Sequence, residues 1–203
     1  MKVSTTDIVK VGILAAVSVP LMLFDFPLPF FVPFLKIDLS DVPAMIAAVS
    51  LGPLQAVFTE LIKNLVKLLI KNDTGGVGEL ANFIVGCAYI LPLSLVCVNR
   101  NKHRFMTRTH VVTTARFAVG ASLGAAAMVA VACLVNYFVL IPVYAAVFNL
   151  PVSEMVDMGH ALNSRITDLR WLVLLSIAPF NLIKAVVVSL VGYAIYRLFK
   201  RFL

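Results

Sequence analysis

Long apolar runs dominate the chain, and most of them approach the length needed to cross a bilayer. A membrane-spanning helix needs about 20 mainly apolar residues. Runs near this length lie at residues 8–24, 42–58, 81–98, 117–147 and 171–198, and a sixth at 54–70 overlaps the second. The Gly52-Pro53 dipeptide divides the overlapping pair, so that one helix ends near Leu51 and the next begins at Leu54. The pattern predicts an all-α integral membrane protein, a single bundle of six transmembrane helices in one domain over residues 1–203.

Composition and charge add a topology to this picture. Of the 203 residues, 61% are hydrophobic and 13% charged, and the mean hydropathy is +0.99. Lys and Arg in short loops favour the cytoplasmic side. Six spans place three basic clusters on one face: Lys2 and Lys10; Arg100, Lys102, Arg104, Arg108 and Arg116; and Arg197, Lys200 and Arg201. We therefore expect both termini in the cytoplasm and the loops 25–41, 71–79 and 148–170 outside. The net charge of +7 then reflects topology and not nucleic-acid binding.

A lysine lies in the middle of the last apolar run. Burying a cation at this depth costs about 2.5–3.5 kcal/mol on insertion scales, so such a residue usually faces a partner or ligand inside the protein. Asn181 precedes Lys184 by three residues and shares its helix face. This pair is the first candidate for a ligand site, with Glu60 or Glu79 as a possible counter-ion for the lysine.

Two other helices carry polar groups among apolar residues. In the third helix, a single stripe holds Glu60, Lys63, Asn64 and Lys67. The stripe is explained either by contacts within the helix or, for Lys67, by extension of the side chain towards the membrane surface. Asn136 lies in the outer half of the fifth helix, where it either bonds a neighbouring helix or contacts a ligand.

The first outer loop is itself apolar and rich in proline. It contains Phe26, Leu28, Phe30, Phe31, Val32, Phe34 and Leu35, interrupted by Pro27, Pro29 and Pro33. Proline disfavours helix, and aromatic faces suit a flat ligand. The loop is interpreted as a lid over the outer mouth, with an aromatic belt at the membrane surface as the alternative.

Small residues mark two helices as packing surfaces. Gly12, Ala15 and Ala16 form a strip in the first helix that either packs internally or docks a partner helix, and Gly120 and Gly124 have the close-approach spacing of membrane helices.

The sequence predicts neither an enzyme nor a metal site. Cys87, Cys97 and Cys133 lack metal-binding spacing, and His103, His110 and His160 are expected in loops. A phosphate-loop pattern is absent from the glycine-rich segment 75–78, so any ATP would be hydrolysed by another chain.

Several segments together resemble one family. They are LKIDLSDVPA at 35–44, the LGP turn at 51–53, ELIKN at 60–64, GGVGELANF at 75–83 and the Asn181-x-x-Lys184 pair. In this order they resemble the riboflavin-specific substrate-binding subunit, or S component, of the energy-coupling factor (ECF) transporters, over nearly the full length.

The resemblance implies a prokaryotic plasma-membrane protein that captures riboflavin from outside, with FMN as a possible second ligand and no cofactor. Its partners would be a transmembrane coupling (T) subunit and two ATPase subunits. It implies ligand contacts by Asn181, Lys184 and Asn136 and a gate that includes Asp38 and Leu39. It also implies that Glu79 and Asn82 contribute to substrate binding. In this family the strip on the first helix resembles an alanine-x-x-x-alanine docking surface; here Gly12 stands in the first place. The alternatives are an S component for another vitamin and a self-sufficient secondary transporter that uses Glu60.

Overall fold

The computed structural model describes residues 5–71, 74–98 and 112–199. Within these ranges its regular elements are helices and one short hairpin of β1 (Phe26–Pro27) and β2 (Lys36–Ile37). The helices are α1 (Thr5–Leu23), α2 (Asp41–Ser50), α3 (Pro53–Ile70), α4 (Val77–Cys97), α5 (Thr114–Val135), α6 (Ile141–Phe148), α7 (Val152–Leu162), α8 (Leu169–Leu172) and α9 (Ala178–Phe199). Most residues of the predicted basic clusters, namely Lys2, Arg100, Lys102, Arg104, Arg108, Lys200 and Arg201, lie outside the described residues, as do His103 and His110.

Four helical segments of the described residues are long and apolar enough to cross a membrane. They are α1, α4, Thr114–Phe148 and Leu169–Phe199. In each of the last two, two α-helices are joined by a π-helical turn, Asn136–Leu140 between α5 and α6 and Val173–Ile177 between α8 and α9. The all-α membrane architecture is therefore confirmed at the level of four spans.

The second predicted span is much shorter than expected. With 10 residues, α2 is about 15 Å long, half of the roughly 30 Å hydrocarbon core. Every residue from Asp41 to Val49 is buried, and α2 packs against α1, α3, α4 and α9. The apolar run at 42–58 thus contains a helix that is buried in the protein core and the first part of α3. Composition alone could not distinguish such a buried helix from a lipid-exposed span.

The break between α2 and α3 lies where the sequence predicts it. Gly52 has φ of 122°, a value that favours glycine, and Pro53 occupies the first turn of α3, where its missing N–H needs no partner. α3 has the length of a span, 18 residues, but carries three charged side chains, on Glu60, Lys63 and Lys67.

The small-residue surfaces of α5 and α1 differ in how they are packed. A Cβ on Gly124 would lie 2.5 Å from the carbonyl oxygen of Tyr89, so this glycine allows α5 to pack closely on α4. In α1, by contrast, Ala15 is buried on the face of Val11 and Ser18, whereas Gly12 and Ala16 are exposed. Ala15 therefore does not belong to an exposed docking strip, because it lies four residues after Val11 and three before Ser18, in line with the buried face of α1.

The predicted outer loop at 148–170 contains a helix, which corrects the sequence interpretation. α7 packs on α8, and Gly159 leaves room for Leu172. His160 lies in α7 and not in a loop, and its Nδ1 donates a hydrogen bond to the carbonyl oxygen of Ile166 at 2.9 Å. The polar residues of this segment concealed its amphipathic helix.

Candidate ligand-binding site

A cavity of about 560 Å³ lies at the end of the bundle where α1 and α3 end and α4 and α9 begin. Pockets for small organic ligands commonly have about 300–1,000 Å³. Apolar and aromatic side chains form much of the wall, among them Met22, Phe34, Leu35, Val85, Leu140, Ile141, Tyr144 and Phe180. The size and lining suit a vitamin-sized molecule with a flat apolar part.

The polar lining contains most of the residues that the sequence singled out. Asp38, Glu79, Asn82, Asn136, Asn181 and Lys184 all line the cavity, although they come from the first loop, α4, the π-helical turn after α5, and α9. Leu39 is the exception: it does not line the cavity and is 36% exposed, because the chain turns Asp38 and Ser40 inwards on either side of it. A role for Leu39 in gating stays a prediction.

The two asparagines are oriented by the helices that carry them. An amide N–H of Asn136 donates to the carbonyl oxygen of Ala132 at 2.8 Å, and one of Asn181 donates to that of Ile177 at 2.9 Å. Each amide nitrogen uses one of its two N–H groups in this bond, so the carboxamide oxygen and the second N–H are left for a ligand. Asn136 is the first residue of one π-helical turn and Asn181 bonds to Ile177, the last residue of the other; such turns often mark functional sites in helices.

Lys184 is 5% exposed and lies at the inner end of the cavity among three oxygen atoms. Its Nζ is 3.0 Å from Asp41 Oδ2, 3.0 Å from Asn82 Oδ1 and 3.4 Å from Asp38 Oδ2. An ammonium has three N–H groups, and the longest of these contacts, with Asp38 at 3.4 Å, leaves the most room for a ligand oxygen. The counter-ions are therefore Asp38 and Asp41, and not Glu60 or Glu79, which the sequence left open.

A row of alternating charges continues from Lys184 into α3. Asp41 Oδ1 accepts a hydrogen bond from Lys63, and Lys63 Nζ is also 2.9 Å from a carboxylate oxygen of Glu60. The order along the row is Asp38, Lys184, Asp41, Lys63, Glu60, and all five side chains are buried. The contact between Glu60 and Lys63 within the helix was predicted, whereas its continuation to Asp41 was not.

A second set of ion pairs surrounds the cavity mouth. Asp25 lies 3.4 Å from Lys36 and 3.7 Å from Lys67, and Lys67 lies 3.8 Å from Glu79. The hydroxyl of Thr74 donates to Glu79 at 2.6 Å. Lys67, at the end of α3, thus pairs with a carboxylate of the first loop and with one of α4. The sequence had predicted either a contact within α3 or extension of the side chain towards the membrane surface.

The proline-rich loop closes over this mouth. Val32 is completely buried, Phe34 and Leu35 line the cavity, and Phe31 makes an edge-to-face contact with Phe180 of α9 at 5.5 Å between ring centroids. The arrangement agrees with the interpretation of the loop as a lid with aromatic faces.

Within residues 5–71, 74–98 and 112–199, no group of three or more His, Cys, Asp or Glu side chains is arranged to hold a metal ion. Cys87, Cys97 and Cys133 are free thiols, with Cys97 buried and the other two partly buried.

Fold and cavity together define a multi-pass helical membrane protein with a cavity for a small ligand within its bundle. The chain belongs to the family described as "ECF transporter, substrate-specific component", whose sequence model matches residues 6–196. This membership confirms the family resemblance that the sequence motifs indicated. It also agrees with the prediction that the chain is not an enzyme.

Relatives and a solved structure extend the comparison. The chain is 31% identical over 196 residues to the riboflavin transporter RibU of Staphylococcus aureus (strain TCH60), covering 97% of this chain and 91% of that protein. It is 33% identical over 191 residues to the riboflavin transporter FmnP of Bacillus subtilis (strain 168), covering 93% and 89%. A structure described as "Structure and mechanism of the S component of a bacterial ECF transporter" superposes with a TM-score of 0.73 and 27% identity, over 97% of this chain and 96% of the other.

Proposed function

We propose that the protein is the riboflavin-binding S component of an ATP-driven ECF importer in a prokaryotic plasma membrane. The observation that carries the proposal is the cavity, in which aromatic and aliphatic walls surround Asn82, Asn136, Asn181 and Lys184. The names of the relatives from Staphylococcus aureus and Bacillus subtilis point to the same vitamin.

The chemistry of riboflavin matches this lining. Its tricyclic ring is flat and largely apolar, with hydrogen-bond donors and acceptors at one edge, and its ribityl chain carries hydroxyl groups. Phe34, Tyr144 and Phe180 offer faces or edges for the ring. The oriented carboxamides of Asn136 and Asn181 each offer an oxygen that accepts and one N–H that donates, which suits the mixed donors and acceptors of the ring edge and the ribityl chain.

The charges of the cavity favour an uncharged ligand over a phosphorylated one. Three cationic side chains line it, and three carboxylates balance them: Asp25, Lys36, Asp38, Lys67, Glu79 and Lys184. A phosphate would bring about −1.5 to −2 charges into this balanced site. FMN therefore remains a secondary ligand, weaker than riboflavin.

In the proposed topology both termini are cytoplasmic and the cavity opens to the outside. The chain crosses the membrane six times within one domain, and the crossing that includes α2 is completed by the preceding lid segment. This arrangement is supported by Asp38 and Asp41, which reach Lys184 in the middle of the Leu169–Phe199 segment. Since α2 is about 15 Å long, it covers only the inner half of that crossing.

The proposed partners follow from the family. An S component associates with a transmembrane coupling (T) subunit and two ATPase subunits, which hydrolyse ATP. On α1, the exposed residues Gly12 and Ala16 remain as the candidate docking strip, and a Cβ on Gly12 would meet no atom within 4 Å. A partner helix could therefore approach the backbone closely at this point.

The test is purification in detergent followed by absorption spectroscopy and titration with riboflavin. We expect flavin absorption bands in the purified protein, or quenching of riboflavin fluorescence when the vitamin is added to flavin-free protein. A protein that is colourless and leaves riboflavin fluorescence unquenched would refute the riboflavin assignment. Parallel titrations with other vitamins would then test the alternative S-component function.

The alternative of a self-sufficient secondary transporter finds less support. It needs a coupling carboxylate that becomes accessible to water, and Glu60 was the candidate. Glu60 is completely buried, does not line the cavity and is paired with Lys63. Uptake by the protein without its ATPase partners, lost in a Glu60→Gln variant, would be needed to restore that alternative.

A further inference from the structure

Two charged side chains of α3 lie beneath the cavity without lining it. Glu60 and Lys63 are both 0% exposed. A buried ion pair often contributes no more stability than a well-packed apolar pair, so stability alone is a weak reason for its presence. Its connection to the cavity supplies another reason.

Asp41 makes that connection because its two carboxylate oxygens contact different lysines. Oδ1 accepts from Lys63, and Oδ2 lies 3.0 Å from the ammonium of Lys184. Lys184 lines the cavity, whereas Asp41 and Lys63 do not. Any displacement of Lys63 therefore acts on the carboxylate that holds the cavity lysine.

The neighbouring residues keep this row of charges in place. Asn64 donates to the backbone carbonyl of Glu60 at 2.8 Å and lies 3.4 Å from Glu60 Oε2. On the facing helix α4, Gly86 leaves the space for the same carboxylate, since a Cβ there would lie 2.8 Å from Glu60 Oε2. Glu60 in turn holds Lys63 from the side opposite Asp41.

We propose that Glu60 and Lys63 are positioning residues for ligand binding, which act through Asp41 to fix the ammonium of Lys184 at the inner end of the cavity. The proposal rests on the proposed function, since it assigns a role in binding riboflavin. Without Lys63, the carboxylates of Asp38, Asp41 and Glu60 would share one ammonium, and Asp41 would draw Lys184 away from the ligand.

The experiment is a cycle of variants in which each remaining buried carboxylate still contacts a lysine. The first variant, Lys63→Met with Glu60→Gln, removes one cation and one anion. The second, Asp41→Asn, removes the carboxylate through which they act. The third combines all three substitutions and leaves Asp38 paired with Lys184. Each is compared with the native protein for its riboflavin dissociation constant and, without ligand, for its thermal unfolding midpoint.

We expect the first variant to bind riboflavin about 2- to 30-fold more weakly, the range for residues that influence a site through a network. In the Asp41→Asn background the same two substitutions should change affinity by less than about twofold, the usual limit for uncoupled sites. Lys63→Arg, which keeps the cation, should stay near native affinity. Lys71→Met provides a matched loss of a lysine after the end of α3, outside both the cavity and the row of charges.

Each outcome decides a different question. Equal loss of affinity in the native and Asp41→Asn backgrounds, or no loss in either, would overturn the positioning role. Additive shifts of the ligand-free unfolding midpoint would overturn the link through Asp41 regardless of any ligand. If the midpoint shifts are non-additive but the native protein binds no riboflavin, the proposed function fails while the link from Lys63 through Asp41 to Lys184 stands.

Discussion

The substitution Lys184→Met tests the candidate site most directly, because it removes the cavity ammonium and keeps an unbranched apolar chain. A hydrogen bond to a charged group contributes about 1–3 kcal/mol. At about 1.4 kcal/mol per factor of ten, riboflavin should bind roughly 5- to 150-fold more weakly.

The same substitution also affects the folded state, and the structure indicates by how much. Removing one partner of a buried ion pair costs about 3–5 kcal/mol, because a buried charge is left uncompensated. Asp41 keeps Lys63 as a partner, whereas Asp38 loses the lysine 3.4 Å away. We therefore expect the lower end of the range, about 3 kcal/mol, or roughly 6–12 °C in the unfolding midpoint for a chain of this size.

A second variant separates binding from stability. Lys184→Met with Asp38→Asn removes the carboxylate that would be left unpaired, so the unfolding midpoint should recover while the riboflavin affinity stays low. Asp38→Asn alone supplies the baseline for its own effect on binding. Affinities come from quenching of riboflavin fluorescence in detergent, and midpoints from helical circular dichroism. Native affinity in the folded double variant would refute the assignment of Lys184 to the site.

Three further predictions follow from the packing and from the cavity lining. Gly124→Ala would place a Cβ 2.5 Å from a backbone oxygen of α4 and should lower the free energy of unfolding by about 1–3 kcal/mol. Gly12→Ala would place a Cβ with no atom within 4 Å, so it should leave the free energy of unfolding unchanged or raise it by up to about 1 kcal/mol. Equal unfolding midpoints for the two variants would contradict this prediction. Asn136→Ala and Asn181→Ala should each weaken riboflavin binding by about 0.5–1.5 kcal/mol in the titration. The substitution Asn163→Ala, at an exposed position, is the control. Native affinity in both variants would show that the two asparagines do not bind the ligand. FMN should bind on the order of tenfold more weakly than riboflavin, and equal or tighter binding in the same titration would show that the lining charges do not exclude phosphate.

The sequence predicts the local features of the site well because they depend on short spacings. The i, i+3 relation places Asn181 and Lys184 on one face, and Gly52-Pro53 separates α2 from α3. These features follow from helical geometry and from the restricted backbone of glycine and proline.

The partners of those residues depend on contacts between distant segments, which periodicity cannot reveal. Asp38 and Lys184 are 146 positions apart, and Asp41 and Lys63 are 22 apart. Helix rotation was also undetermined, so the sequence grouped Ala15 with Gly12 although the core buries it. The apolar run that contains α2 showed hydrophobicity without showing whether lipid or protein surrounds it.

The row of buried charges also bears on the order in which the chain can be assembled during synthesis. Asp38 and Asp41 are synthesised early, with the first third of the protein, whereas Lys184 arrives only with the last helix. Until then Asp41 has Lys63 as its cation, whereas Asp38 lacks the lysine with which it pairs in the folded protein. The N-terminal half is therefore electrostatically incomplete at the ribosome, and consolidation of the bundle must wait for α9. A chain truncated before α9 should be recognised and degraded by membrane quality control even though most of its apolar segments have already been inserted.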